Sequence, residues 1–225
     1  MRHVIVAGGG NAEDSAPADD VFARSIHTHQ SILYLPIALD PHRHPYATCL
    51  AWLRSVFGPR GLHNISMWSD ITGKTDEDVA PYAAVYIGGG NTFTLLHMFQ
   101  STGFLHVLRR FIERGGIVYG GSAGAIMLGR DIRTAAHMDP NDVRVTDSAG
   151  LNVLSGHAIW CHYQPADDMH IRAYVGQCGF PVIALSERAA VSARADQIVA
   201  LGYDPTLVFD TQTRQVYGPS ALITL

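Results

Sequence analysis

The 225-residue sequence predicts an α/β protein: a doubly wound, mostly parallel sheet flanked by helices, with a small antiparallel C-terminal extension. Three observations carry that prediction. Short apolar runs alternate with segments of helical periodicity, the order expected of stacked βα units. One run, Ala83-Ala84-Val85-Tyr86-Ile87, is apolar throughout, as a parallel strand covered on both faces should be. The third is a turn, Gly120-Gly121-Ser122-Ala123-Gly124, set between the apolar runs 116–119 and 125–128. Strand, tight Gly-x-Ser-x-Gly turn and helix in that order read as a nucleophile elbow.

The elements follow in order. Residues 3–7 form a first strand, ended by Gly8-Gly9-Gly10-Asn11, and 19–29 can form a helix. Residues 31–36 are a second strand. Segment 45–57 carries Leu50, Trp52, Leu53, Val56 and Phe57 at helical spacing and is closed by Gly58-Pro59. Residues 64–68 are a third strand, 76–80 a short helix and 83–87 the fourth strand, followed by Gly88-Gly89-Gly90-Asn91-Thr92 and helices over 93–100 and 104–113. Beyond the elbow helix, 130–150 reads as a long loop, with strands expected at 151–154 and 157–160. A helix over 166–178, a strand at 182–185, a hairpin of 189–192 with 197–201, and a last pair of 208–210 with 215–217 complete the pattern.

Composition narrows the function classes. Apolar residues are 47% and charged residues 16% of the chain, enough for a sizeable core in one domain spanning residues 1–225. The net charge is −4 with no block of Lys or Arg, so no nucleic-acid partner is expected. No apolar stretch approaches a membrane span, and the run after Met1 is too short for a signal peptide. Three unpaired-looking cysteines, Cys49, Cys161 and Cys178, suit a reducing compartment, and a cytoplasmic location is expected. His42-x-His44 and the His/Asp residues near 167–170 match no metal-site spacing, so neither metal nor cofactor is expected. A homodimer is expected only on general grounds.

A serine on such a turn needs a base, and histidine suits neutral pH. Of twelve histidines, His27, His29, His42 and His44 fall in early surface segments and His97 and His106 on helices. The candidates that follow the serine are His137, His157, His162 and His170, and His162, just past Ile159-Trp160 at the carboxyl end of a strand, is the best placed. Glu187, after the apolar run 182–185, is a candidate to orient the base, with Asp167 and Asp168 as rivals. The Gly88-Gly89-Gly90 loop, also at a strand's carboxyl end, can bring backbone N–H groups close to an oxyanion.

Ile87 to Phe93, the Gly121-Ser122-Ala123-Gly124-Ala125 turn, Cys161-His162-Tyr163 and Ser186-Glu187 together resemble the peptidase E (aspartyl dipeptidase) family. These are serine peptidases on a fold related to class I glutamine amidotransferases. The likeness runs in register from about residue 80 to 202. It implies Ser122 as nucleophile, His162 as base and Glu187 as acid, with an oxyanion hole from Gly89, Gly90 and Ala123, and short peptides as substrates. Asn91, His137, Asp167 and Arg172 are then expected near the substrate. Two departures bear on specificity. His137 stands where Asp-specific members carry an acid, and Asp167-Asp168, with Arg172 further on, replace the arginine that follows their catalytic histidine. A loop reversed in charge repels an aspartate side chain. A narrow site walled by loops 130–150 and 163–170 is expected. Arg188, beside Glu187, is a possible ion-pair partner for it.

Overall fold

The computed structural model describes residues 3–195 and 197–224. In chain order the elements are β1 (His3–Ala7), α1 (Ala16–Arg24), β2 (Ser31–Leu35), α2 (Tyr46–Phe57), β3 (Ile65–Met67), α3 (Asp76–Val79), β4 (Tyr82–Ile87), α4 (Thr92–Ser101), α5 (Phe104–Glu113), β5 (Ile117–Gly121) and α6 (Ala123–Leu128). Then follow β6 (Ala158–Trp160), α7 (Asp168–Cys178), β7 (Val182–Ala184), β8 (Ala189–Arg194), β9 (Gln197–Gly202), β10 (Thr206–Phe209), β11 (Arg214–Tyr217) and β12 (Leu222–Ile223).

The strands lie in two sheets. The larger has the order β12-β9-β8-β1-β5-β4-β2-β3; β1, β5, β4, β2 and β3 are parallel, and β8, β9 and β12 extend it in antiparallel register. The smaller has the order β11-β10-β7-β6. Alternation along β1 shows the double winding. Val4 and Val6 face one apolar layer with α4, α5 and α6, while Ile5 and Ala7 face another with α1 and α2. The α5 helix buries Phe104, Val107, Leu108, Phe111 and Ile112, a continuous stripe at helical spacing.

Three expectations are corrected. The first helix begins at Ala16, not residue 19, and ends at Arg24. Pro17, preset for a first helical turn, moves the start back. Residues 151–154 are buried but form no strand: the N–H groups of Leu151, Asn152 and Val153 donate to the carbonyls of Met127, Gly129 and Leu128. The open carbonyls at the end of α6 take the partners a strand would have supplied. The third correction concerns β6, β7 and the β10–β11 pair. They belong to the smaller sheet, where β6 and β7 are parallel and β10 and β11 antiparallel. Loop 130–150 carries a short 3-10 turn, Ile132–Ala135, and a bridge between Asp131 and Ala149.

Candidate active site

Ser122 sits at the end of β5, and its N–H donates to the Ala7 carbonyl at the end of β1. Its backbone has φ 50° and ψ −113°, a conformation that costs a non-glycine residue on the order of 1–3 kcal/mol. The neighbouring glycines make this turn possible. A Cβ on Gly120 would lie 2.6 Å from the Gly124 carbonyl carbon, and one on Gly124 would lie 2.5 Å from the Ile87 carbonyl oxygen. The hydroxyl therefore projects from a point where β5, β4 and α6 meet without side chains between them. Ala123 opens α6, so its N–H has no acceptor within the helix.

His162 follows β6 in the smaller sheet. One main-chain bond ties it to the larger one and the next keeps it in its own sheet: its N–H donates to the Gly8 carbonyl (3.0 Å) past the end of β1, and the N–H of Tyr163 to the Leu185 carbonyl (2.9 Å) past the end of β7. Its φ is 54°, which turns the imidazole back toward β5. Nε2 lies 2.8 Å from Ser122 Oγ, and Nδ1 lies 3.0 Å from Glu187 Oε1. The imidazole thus bridges hydroxyl and carboxylate. Gly9 lets it do so, since a Cβ there (φ 124°) would overlap the His162 ring. The Cys161 thiol, buried and pushed to a raised pKa by desolvation, donates weakly to the Ser122 carbonyl. Arg188 does not pair with Glu187. It lies over the Tyr203 ring and faces Asp204, 3.8 Å away, with the Ser186 hydroxyl also bonded to Asp204.

A cleft of about 500 Å³ opens beside the serine. Its floor is Tyr34, Tyr86 and Tyr119, the last two stacked at 4.6 Å. Gly88, Gly89, Gly9, Gly10 and Ser15 edge it, and residues between 39 and 52 form the far wall. Beneath the floor is Asp19, 1% exposed, hydrogen-bonded by Ser15 and Tyr119, with its pKa raised by burial to about 6.

The other sequence-predicted residues separate clearly. Gly89 is beside the serine, its position for a Cβ 3.3 Å from Ser122 Cβ, whereas Gly90 packs on the Ala38 carbonyl. Asn91 caps α4, accepting from the Thr94 N–H and donating to the Pro140 carbonyl. His137 stacks on Trp160 at 4.2 Å and bonds the Thr134 carbonyl. Asp167 accepts from the Gln164 N–H, Asp168 is held by the Tyr163 hydroxyl and Arg214, and Arg172 lies over Phe209. Of these, Gly89 alone lines the cleft; Gly90, Asn91, His137, Asp167, Asp168 and Arg172 do not. His157 is buried and bonded to the Leu154 and Ser155 carbonyls, away from the serine. Loops 130–150 and 163–170 do not wall the cleft either; the far wall comes from 39–52 and includes His44, an exposed histidine as expected. The signal for that wall was present in α2, which carries Cys49 and Trp52 on a different face from its buried Leu53, Val56 and Phe57.

The comparisons with known proteins bear on this geometry. A probable alpha-aspartyl dipeptidase of Drosophila melanogaster is 28% identical over 184 residues, covering 77% of this chain and 73% of the relative. A pyridoxal 5′-phosphate synthase subunit of Pyrococcus abyssi (strain GE5 / Orsay) is 30% identical over 162 residues, 66% of this chain and 82% of that one. In fold, the crystal structure of a putative peptidase E protein from Listeria monocytogenes EGD-e superposes with a TM-score of 0.71 at 19% identity, over 90% of this chain and 98% of that one. The model of peptidase family S51 matches residues 4–201. Matched over nearly its whole length, the chain belongs to peptidase family S51 and is a serine-type peptidase.

Proposed function

We propose that the protein hydrolyses short peptides through Ser122, His162 and Glu187. In this reading the Ser122 Oγ attacks the scissile carbonyl as His162 Nε2 takes its proton. His162 then returns that proton to the departing amine, and water repeats the cycle on the acyl-enzyme. Glu187 holds the Nδ1–H so that Nε2 stays free to accept. The N–H groups of the glycine loop (Gly89, Gly90) and of Ala123 stabilise the oxyanion, Ala123 with the added field of a helix N-terminus.

The observation that carries the reading is the continuous Oγ–Nε2 and Nδ1–Oε1 pairing at 2.8 and 3.0 Å, at the mouth of a cleft. Hydroxyl, imidazole and carboxylate stand within hydrogen-bond reach of one another, as the proposed relay requires. The test is Ser122→Ala assayed on a dipeptide panel. The expected loss in kcat/KM is on the order of 10⁴-fold or more, with circular dichroism unchanged. Retained activity in the purified variant would sink the assignment.

A further inference from the structure

The identity of the substrate side chain follows from how the cleft is built, and this inference rests on the reading just given. The site crosses the carboxyl edge of the large sheet in one direction. His162 sits at the β1 end, against Gly8 and Gly9; Ser122 is at the end of β5; Gly89 is at the end of β4; and the wall 39–52 continues from the end of β2. The amine that leaves must lie next to His162 to receive its proton. The residue that keeps the attacked carbonyl therefore extends the other way, past Gly89 and over Tyr86 and Tyr34 toward the wall.

That half of the cleft is apolar and aromatic. Tyr34 lies 5.7 Å from Tyr86 ring to ring, and its hydroxyl would be 3.3 Å from a Cβ on Gly88. Leu39, Pro45, Cys49 and Trp52 face it. No carboxylate lines the cleft among the described residues, and its one permanent cation is Arg43. Arg43 stands exposed at the rim on a turn between Pro41 and Pro45, where its backbone N–H donates to the Asp40 carbonyl, so its guanidinium is set in solvent rather than in the aromatic part of the cleft. Under the floor, Asp19 acts electrostatically on both Tyr86 and Tyr119, while Arg60, paired with Asp20, offsets it only from a distance. An acidic substrate side chain would lose its hydration against these rings and meet a buried like charge. A neutral ring or branched chain meets neither cost.

We propose that the pocket between Tyr86 and the 39–52 wall receives a large uncharged side chain, aromatic or aliphatic, on the residue whose carbonyl Ser122 attacks. Selection then resides in Trp52, Cys49 and Leu39 with Tyr34, and the enzyme prefers Phe-X and Leu-X over Asp-X peptides.

The experiment measures kcat/KM for Phe-Gly, Leu-Gly, Ala-Gly and Asp-Gly with the wild-type chain and with Thr48→Phe. Thr48 lines the cleft from the exposed side of α2, so a larger side chain there narrows the pocket without entering the core. Phe-Gly and Leu-Gly are expected to exceed Ala-Gly by about 10- to 100-fold, with Asp-Gly below Ala-Gly. Thr48→Phe is expected to cut the Phe-Gly to Ala-Gly ratio by about 10-fold. Asp-Gly as the best substrate, with its advantage removed by Arg43→Gln, would overturn the proposal, as would a ratio that Thr48→Phe leaves unmoved. Fluorophosphonate labelling separates the two levels. If Ser122 labels and peptides are cut without side-chain preference, the pocket assignment alone falls. If Ser122 neither labels nor supports cleavage, the peptidase mechanism and the pocket assignment fall together.

Discussion

The two halves of the candidate site reach the same point by different routes. On the elbow side, Ser122 is placed chiefly by its immediate neighbours within residues 117–128, two glycines, the end of one strand and the start of one helix, with Ala7 and Ile87 at the ends of the flanking strands. On the other side, His162 and Glu187 follow strands of the second sheet, forty and more residues further along, and His162 is held against the first sheet by its N–H bond to Gly8 and the bare backbone of Gly9. The difference teaches where precision is stored. The geometry of the proposed nucleophile rests mainly on the backbone around it, with the ends of β1 and β4 as its only distant supports, whereas that of the proposed base rests on how two sheets meet.

The largest perturbation of that contrast is Gly9→Ala. A methyl there displaces the imidazole without touching the elbow, and a shift of about 1 Å in a catalytic group costs roughly 100-fold. The expected outcome is a fall in kcat of about that size with folding intact. The matched control is Gly179→Ala, at φ 71° with open space around it, which carries about 1 kcal/mol of backbone strain and no loss of activity. Equal activity in the two variants would refute the idea that the sheet junction positions the base.

A smaller effect is expected from Glu187→Gln. The Glu187 side chain is 56% exposed, so water can replace part of what it does for His162, and a decrease in kcat of about 10-fold is expected, well short of that for a buried triad acid. A kcat left unchanged by the substitution would assign Glu187 no part in orienting the base.

The elbow side can be probed through stability. Burial holds the folded-state pKa of Asp19 at about 6, above its ordinary value near 4. The folded protein thus binds this proton more tightly than the unfolded chain does. The stability it contributes is complete below about pH 4 and is lost as the pH rises through 6. Asp19→Asn should flatten the dependence of unfolding free energy on pH over that window and stabilise the protein at pH 7 by at most on the order of 2–3 kcal/mol. Urea titrations from pH 4 to 7 measure it; a variant with the wild-type slope would show that Asp19 is not the group responsible.

The same contrast explains what could be read from the residues. The elbow was legible because everything it needs is contiguous: an apolar run, Gly-x-Ser-x-Gly, another apolar run. The alternation of strands and helices through residue 128 was legible for the same reason. The second sheet was not, since 158–160 and 182–184 are short buried runs that look like any strand of the large sheet, and nothing local says which strand each will pair with. Residues 151–154 were misread as a strand because their apolar side chains are indeed buried, but their N–H groups are taken by the end of α6. The residues expected at the substrate, Asn91, His137, Asp167 and Arg172, drew on the family resemblance, and each is engaged in capping, stacking or a loop hydrogen bond elsewhere. Gly9 and the 39–52 wall went unassigned, because the use of a glycine for close approach depends on what comes near it from far along the chain.

The wall from 39 to 52 supplies no atom of the Ser122–His162–Glu187 relay, and its exposed turn of α2 supports little of the core. Substitutions there are free to accumulate at small cost to folding and none to the relay. On the proposed reading, substrate choice is an evolvable surface grafted beside a fixed reaction centre, and a library confined to Leu39, Arg43, Thr48, Cys49 and Trp52 is the place to redirect it.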